Sequence, residues 1–400
     1  MGKKANKNIT IIDYLEKKTF EKPQNIAYIF NNEKITYNNL LEKVNGFAGY
    51  LLEQGVKKGD IVGVCLNRSI EMVIGLLAII KIKATYLPID IKYPLKRISF
   101  MLNHARVKYL VTDDIYSAKL DISEVKKIYI TNNNIKKCDI AQIVPEEENA
   151  DYCAYVIYTS GSTGVPKGVQ VGNTSLINVL QSTVEVLNLT MSDTILAVTT
   201  ISFDIAALEL FICLLVGAKC VIASDFEKMD GNLLNTIFER YHVSIMQATP
   251  THFKLLIQTG WRGSKDVRLL CGGEPLDYMT AKILLERSKE LWNMYGPTET
   301  TIWSTMTKIS SPDLITISSP IANTVIYICT KDMQQVDCNQ VGEMYIGGIG
   351  VSWGYLYDKE LTRERYIQSP FPAYKGILFR TGDLVKKTQN NEIIFIGRQD

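Results

Sequence analysis

Three groups of residues in this 400-residue chain have types and spacings suited to chemistry. The first is the run Tyr158-Thr159-Ser160-Gly161-Ser162-Thr163-Gly164-Val165-Pro166-Lys167-Gly168, which follows the apolar segment Ala154 to Ile157. Glycines let backbone N–H groups turn toward an anion, hydroxyls add donors, and Lys167 brings positive charge. The run reads as a phosphate-gripping loop or as the solvated tip of a hairpin. Its GxxGxxKG spacing differs from the GxxxxGK[ST] of a Walker loop, so an ordinary P-loop ATPase is not implied. The second group is acidic: Asp204 before an apolar helical stretch, Glu299 after a Gly-Pro turn, and Asp383 within Arg380-Thr381-Gly382-Asp383-Leu384. Asp204 reads first as a helix N-cap, a role that does not exclude a second one, and Glu299 as a solvated loop acid. The third group ends successive strand-like runs: Gln247, then Leu270-Cys271-Gly272-Gly273-Glu274, then Asn293-Met294-Tyr295-Gly296-Pro297-Thr298-Glu299. Strand alternation puts Leu270 and Gly272 on one face with Cys271 behind, and helical spacing puts Asp204, Ile205 and Leu208 on one side.

The elements that must position these groups alternate. Helices are predicted over Asn38 to Gly55, Ser69 to Ile82, Lys96 to His104, Thr174 to Leu187, Asp204 to Val216, Asn232 to Tyr241, Thr251 to Gln258 and Tyr278 to Lys289. Strands are predicted over Ile61 to Leu66, Thr85 to Ile89, Lys108 to Thr112, Thr194 to Thr199, Lys219 to Ala223, Val243 to Gln247, Val267 to Cys271 and Leu291 to Met294. Such alternation predicts an α/β class of two doubly wound subdomains, in which ligands sit beyond the carboxyl ends of the strands. After about Ser319 the runs turn β-rich (Thr324 to Cys329, Gly342 to Ile346, Ile377 to Arg380, Glu392 to Ile396), predicting a small third subdomain. The expected division is about 1–150, 151–318 and 319–397, with the charged, Asn-rich segment Asp114 to Asn149 as a linker.

Composition narrows the function. A chain 46% apolar can bury a large core, yet 400 residues exceed what one core usually organises. The net charge of +2 leaves no electrostatic footprint for nucleic acid or an anionic membrane. The longest apolar run, Met72 to Ile80, is too short to span a bilayer, and Met1 to Lys7 leads into no signal-type segment, so a cytoplasmic location is expected. Eight cysteines without a CxxC pair, and His104, His242 and His252 away from any ligand spacing, argue for small buried thiols and against a structural metal site.

Taken in order, Ile35-Thr36-Tyr37-Asn38-Asn39-Leu40, Tyr86-Leu87-Pro88-Ile89-Asp90, the 158–168 loop, Phe203-Asp204, Tyr295-Gly296-Pro297-Thr298-Glu299, Gly342-Glu343, Gly354-Tyr355-Leu356, Arg380-Thr381-Gly382-Asp383 and Gly397-Arg398-Gln399-Asp400 resemble the motifs of a nonribosomal peptide synthetase adenylation domain, of the adenylate-forming superfamily with acyl-CoA synthetases and luciferase. The resemblance runs nearly the whole length and implies an amino-acid-adenylating ligase with a distorted-barrel β subdomain. A carboxylate attacks the α-phosphorus of ATP, magnesium pyrophosphate leaves, and a phosphopantetheine thiol on a carrier protein takes the acyl group.

The resemblance also implies roles. Thr159, Ser160, Gly161, Ser162, Thr163, Gly164 and Lys167 hold the leaving phosphates, and Glu299 binds Mg2+. Tyr295 stacks on adenine with Gly272 and Gly273 allowing close approach, Asp383 takes both ribose hydroxyls with Arg398 nearby, and Glu274, Asn293, Gly296 and Thr298 complete the nucleotide site. Asp204 binds the substrate's α-ammonium, and Ile205, Leu208, Gln247, Leu270, Gly272, Met294, Ile302 and Trp303 line the side-chain pocket. Their order resembles the family's glycine-selecting pattern, so glycine is the expected substrate, with some alanine admitted.

The chain departs from the family at Ser202, where the wider superfamily often has a histidine, and at Ile82-Lys83, which replaces a small Ala-Gly pair. Residues 398–400 match the start of the family's hinge, so the small C-terminal domain and its lysine are expected outside the chain. On that expectation the 400 residues bind glycine, ATP and glycyl-adenylate but adenylate poorly alone. Expected partners are a carrier domain and that C-terminal subdomain, with room for a small activator protein. A non-catalytic nucleotide or amino-acid binding module and an acyl-CoA synthetase-like ligase are the competing readings; Asp204 speaks against the latter, whose substrates carry no ammonium.

Overall fold

The computed structural model describes residues 9–119, 124–131, 133–135, 151–159 and 165–399. Two of its three sheets carry the α/β alternation. From edge to edge the six-stranded sheet runs Lys126–Tyr129, Tyr109–Thr112, Ile61–Cys65, Thr85–Pro88, Cys153–Thr159 and Lys167–Gly172, parallel except for the last pair. The eight-stranded sheet runs Thr305–Ile309, Glu290–Tyr295, Arg268–Gly272, Ile245–Ala248, Thr194–Ala197, Lys219–Ile222, Ile26–Phe30 and Glu33–Thr36, with an antiparallel pair at each edge.

Both sheets are buried on two faces, and side-chain alternation sorts their residues between cores. Ile195 and Ala197 enter the central core while Leu196 and Val198 enter an outer one. In the other sheet Tyr155 and Ile157 point to the same central core, and Val156 and Tyr158 point away. Helices Tyr37–Glu53, Ile70–Lys81, Asn173–Leu187 and Ile205–Val216 all contribute to that central core. The helix Ile205–Val216 is apolar on every side except at Glu209, as suits a helix enclosed all round. Gly217, left-handed at φ 82°, ends it.

The sheets do not divide near residue 150. The hairpin Ile26–Phe30/Glu33–Thr36 joins the eight-stranded sheet through Tyr28 paired with Cys220, and the Tyr28 hydroxyl donates to Leu210 O at 2.6 Å. Cys153–Thr159 and Lys167–Gly172 complete the six-stranded sheet instead. The expected linker also carries structure, a helix at Asp114–Lys119 and the edge strand Lys126–Tyr129; residues 120–123, 132 and 136–150 lie outside the described ones. Lys83 adopts φ 55° where the family resemblance leads one to expect glycine, at a cost of about 1 kcal/mol.

The β-rich part is a five-stranded antiparallel sheet: Thr324–Cys329, Val341–Gly348 and Ile377–Lys387 in sequence, with Tyr366–Gln368 and Ile393–Arg398 both on the last of these. It is an open sheet among the described residues, not a barrel. The long strand Ile377–Lys387 gives its far edge to two short partners, leaving no pairing to close a circle. No described helix is long and apolar enough to cross a membrane.

Candidate active site

The carboxyl ends of Thr194–Ala197, Ile245–Ala248, Arg268–Gly272, Glu290–Tyr295 and Cys153–Thr159 open onto a cleft of ≈1070 Å3. Thr159 and Lys167 face each other in register at the end of the Cys153–Thr159/Lys167–Gly172 hairpin, and both line the cleft. Ser160, Gly161, Ser162, Thr163 and Gly164 lie outside the described residues. The hairpin reading and the phosphate reading of this run are therefore compatible, since the flanking strands form a hairpin whose base faces the cleft. A second contact fixes it: Val169 bridges to Tyr355, and Leu356 N–H donates to Gly168 O at 2.8 Å. Tyr355 thereby stands between the two charges expected at the phosphates. Its hydroxyl donates to Glu299 Oε1 at 2.7 Å, and Lys167 Nζ lies 5.7 Å from its ring centre. Burial and the Glu299 carboxylate push the Tyr355 hydroxyl far above its ordinary pKa, so it stays a donor.

Asp204 is 8% exposed and stands at the N-cap position of its helix, but its side chain makes no capping hydrogen bond there. Its Oδ2 is buried without a hydrogen-bond partner. Burial raises its pKa to about 6; the Thr298 hydroxyl and the Ile205 and Ile302 N–H groups oppose the rise, and the Glu299 carboxylate adds to it. A buried carboxylate missing one partner has the capacity to accept from a cationic donor.

Trp303 forms the wall beside it. Thr301 (φ 61°) and Ile302 (φ 63°) are consecutive β-branched residues in left-handed backbone, a strained pair that turns the chain to aim the indole inward. The indole N–H donates to Gln247 Oε1 at 2.7 Å. A Cβ on Gly272 would sit 2.4 Å from Met294 O and 2.6 Å from Trp303 Cη2, so only glycine lets the ring lie against the strand. Of the expected side-chain pocket, Asp204, Ile205 and Trp303 line the cleft. Leu208, Gln247, Leu270, Met294 and Ile302 are buried behind them, each at most 2% exposed. Gly272 lines neither this cleft nor the cavity described next.

A neighbouring cavity of ≈310 Å3 brings together Gly273, Glu274, Asn293, Met294, Tyr295, Gly296, Asp383 and Arg398; Gly273, Glu274, Gly296 and Arg398 also line the main cleft, with Thr298 and Glu299. The Tyr295 hydroxyl donates to Asp383 Oδ2 at 2.5 Å, and Arg398 lies 3.4 Å from Asp383 Oδ1. The strand segment carrying Asp383 is held by Glu343 of the neighbouring strand. Arg380 Nε donates to both oxygens of the buried Glu343 (2.9 and 3.1 Å), and Gly382 N–H donates to Glu343 Oε1 at 3.1 Å. The Glu274 carboxylate accepts from Thr251 N–H and Oγ1.

Several cleft residues carried no sequence signal of their own. Phe395 packs on Tyr295 with ring centres 6.4 Å apart and lines the smaller cavity; alternation with the buried Ile393 could have marked it. His252, whose pKa burial lowers, and Lys228 line the cleft through a contact between His252 Nε2 and Lys228 O at 2.6 Å. Among the described residues no three His, Cys, Asp or Glu side chains converge as a metal cage.

The profile of the family described as "AMP-binding enzyme" matches residues 15–356. The chain is 36% identical to a dimodular nonribosomal peptide synthase of Bacillus subtilis over 99% of its own length and 17% of the relative's. It is 33% identical to bacitracin synthase 3 of Bacillus licheniformis over 98% of the chain and 6% of that protein. Among solved structures, the four-domain nonribosomal peptide synthetase holo-AB3403 bound to AMP and glycine superposes at TM-score 0.92 with 32% identity, over 99% of this chain and 30% of that one. The N-terminal subdomain of Klebsiella oxytoca NpsA, in complex with 3-hydroxybenzoyl-AMSN, superposes at 0.84 with 26% identity over 97% of this chain and 100% of that one. The chain thus spans a small part of the curated relatives it matches and the whole of a subdomain solved by itself. With its cleft at the strand ends and these matches along nearly its full length, the chain belongs to the AMP-binding enzyme family.

Proposed function

We propose that this chain activates an amino acid, glycine first, as an aminoacyl-adenylate for loading onto the phosphopantetheine arm of a carrier domain. One observation carries the amino-acid part: the buried, unpartnered Oδ2 of Asp204, a carboxylate waiting for an ammonium. The wall of Trp303 over buried Leu208, Gln247, Leu270, Met294 and Ile302 leaves little room past the α-carbon, which favours glycine. The relative bound to AMP and glycine supports the same choice.

The substrate carboxylate attacks the α-phosphorus of ATP, and pyrophosphate leaves. Chain residues do the positioning. Lys167 and Thr159, with Ser160 to Gly164 between them, hold the leaving phosphates; Asp383 and Arg398 take the ribose; Tyr295 and Phe395 shape the adenine site. Charge-assisted bonds of this kind contribute about 1.5–3 kcal/mol each. Magnesium suits the residues present, because it keeps waters and substrate phosphates as ligands and needs only one or two carboxylates, here Glu299 held by Tyr355. Bound there, it would offset the charge of the departing pyrophosphate. The cytoplasm, where ATP and free amino acids are found, is the fitting location.

Amino-acid-dependent ATP–pyrophosphate exchange by the full-length protein tests the reading. Glycine should give the strongest exchange, with alanine next. Exchange driven by a fatty acid and by no amino acid would overturn it.

A further inference from the structure

Behind the substrate wall runs a line of buried polar groups that touches no ligand. Trp303 N–H donates to Gln247 Oε1 at 2.7 Å. Gln247 Nε2 donates onward to Glu209 Oε1 at 3.2 Å and to Ile205 O at 3.0 Å. Glu209, 2% exposed, also accepts from the Val198 and Thr199 N–H groups on Oε2, both at 2.9 Å, and from Thr199 Oγ1 at 2.5 Å on Oε1. The same strand end is held from its other side by the buried Arg68, whose guanidinium donates to Ala197 O at 2.7 Å, to Ala223 O at 2.6 Å and to Thr199 O. Acid and guanidinium therefore grip one backbone segment, the acid by its N–H groups and the guanidinium by its carbonyls, just ahead of Asp204.

The line has a direction. A carboxylate only accepts, so Gln247 must turn its NH2 toward Glu209, and its oxygen then faces Trp303, whose indole only donates. We propose that Glu209 is a positioning residue for substrate selection: its charge fixes the Gln247 amide, the amide fixes the Trp303 indole, and the indole excludes side chains larger than that of glycine. The selectivity claim rests on the amino-acid reading of the cleft, whereas the orientation of the line can be measured without any ligand.

Glu209→Gln is nearly isosteric and breaks the direction. If the new amide keeps its oxygen on the Val198 and Thr199 N–H groups, its NH2 meets the Gln247 NH2. Should Gln247 then flip, it loses Ile205 O and points a donor at the Trp303 donor. The first arrangement sets two donors against each other and pushes the Gln247 amide off its place on the indole; the second takes the acceptor away altogether.

Two measurements test this. The first is 15N-indole NMR of the ligand-free protein, which has four tryptophans (Trp261, Trp292, Trp303 and Trp353), with the Trp303 signal assigned by Trp303→Phe. Glu209→Gln should move that signal upfield and speed its hydrogen exchange while the other signals stay. The second is calorimetric binding of glycyl- and alanyl-sulfamoyladenosine, stable mimics of the two adenylates. The preference for the glycyl compound should fall about tenfold in Glu209→Gln. Gln247→Leu should lower it similarly, and adding Glu209→Gln to Gln247→Leu should change it no further. An unmoved indole signal, an unchanged preference, or a second full drop in the double variant overturns the proposal. If Glu209→Gln does not fold, Gln247→Leu decides alone by the same two readouts, an unmoved signal or unchanged preference again overturning it. Binding of neither mimic by the wild type overturns the amino-acid reading, and the indole signal then decides the relay by itself.

Discussion

Replacing Asp204 by Asn should make the ligand-free protein gain stability with rising pH relative to wild type while removing its ability to hold an amino acid. The magnitude follows from ionisation. Burial lifts the Asp204 pKa from 3.8 to about 6, so in the folded chain the charged form is disfavoured by about 3 kcal/mol. A raised carboxyl pKa adds stability below the unfolded pKa near 4, and that advantage is lost as pH rises through the folded pKa near 6. Above pH 6 the wild type bears the whole penalty and Asp204→Asn bears none. The substitution has its own fixed cost, since the amide puts an N–H₂ where Oδ2 found no partner, worth roughly 1–3 kcal/mol. That cost does not depend on pH, so the pH dependence of the difference isolates the charge. About half of the 3 kcal/mol should develop between pH 5 and pH 8, read from urea unfolding of both proteins across that range. Glycine-dependent exchange should meanwhile fall at least ~100-fold, because the ammonium loses its counter-charge. A stability difference that stays flat between pH 5 and pH 8, or an Asp204→Asn protein that still exchanges with glycine, would refute the assignment.

Glycine affinity of the wild type should weaken about tenfold per pH unit below pH 6 and level off above it, because only ionised Asp204 pairs with an ammonium; calorimetry from pH 5 to 8 checks this. Tyr355→Phe removes the hydroxyl that holds Glu299 and should raise the magnesium concentration needed for half-maximal exchange about tenfold, leaving glycine affinity unchanged. Trp303→Ala should shift the amino-acid preference in the exchange panel toward larger side chains, as expected of a wall 1% exposed; unchanged selectivity would refute its place in the pocket.

The alternation of periods was legible because long apolar stripes specify their own elements: the helix expected over Ser69 to Ile82 runs Ile70–Lys81, capped by the Ser69 hydroxyl on Met72 N–H. Elements recognised only through a partner were not. The strand Glu33–Thr36 has one buried residue in four, and its place comes from pairing beside Tyr28. The break expected near residue 150 failed for the same reason, since composition marks a polar segment but not which sheet the strands around it join. In the site, Lys167 was legible from its glycine- and hydroxyl-rich loop, whereas Asp204 and Trp303, which by themselves read as a helix cap and as core, were singled out through the family resemblance. The part Tyr355 plays was not legible, because it depends on a bridge to Val169 and on Glu299, neither of them near it in sequence.

Glu209 shows what a physical reading of the sequence still had in reach. The helix Ile205–Val216 has one charged residue among twelve, and a carboxylate enclosed in an apolar helix is tolerated only when donors surround it. Four donors do so here, from the strand end Val198–Thr199 and from Gln247. Burying that charge costs free energy that an apolar residue would not, so fold stability alone gives no account of its presence. What the charge supplies is a fixed direction for the Gln247 amide. A wall held by such a line can distinguish a hydrogen from a methyl group, a difference that apolar contact alone discriminates by only about 1–3 kcal/mol. On the proposed reading, the residues facing the substrate set what the pocket admits, and the acid behind them how firmly it refuses the next larger side chain.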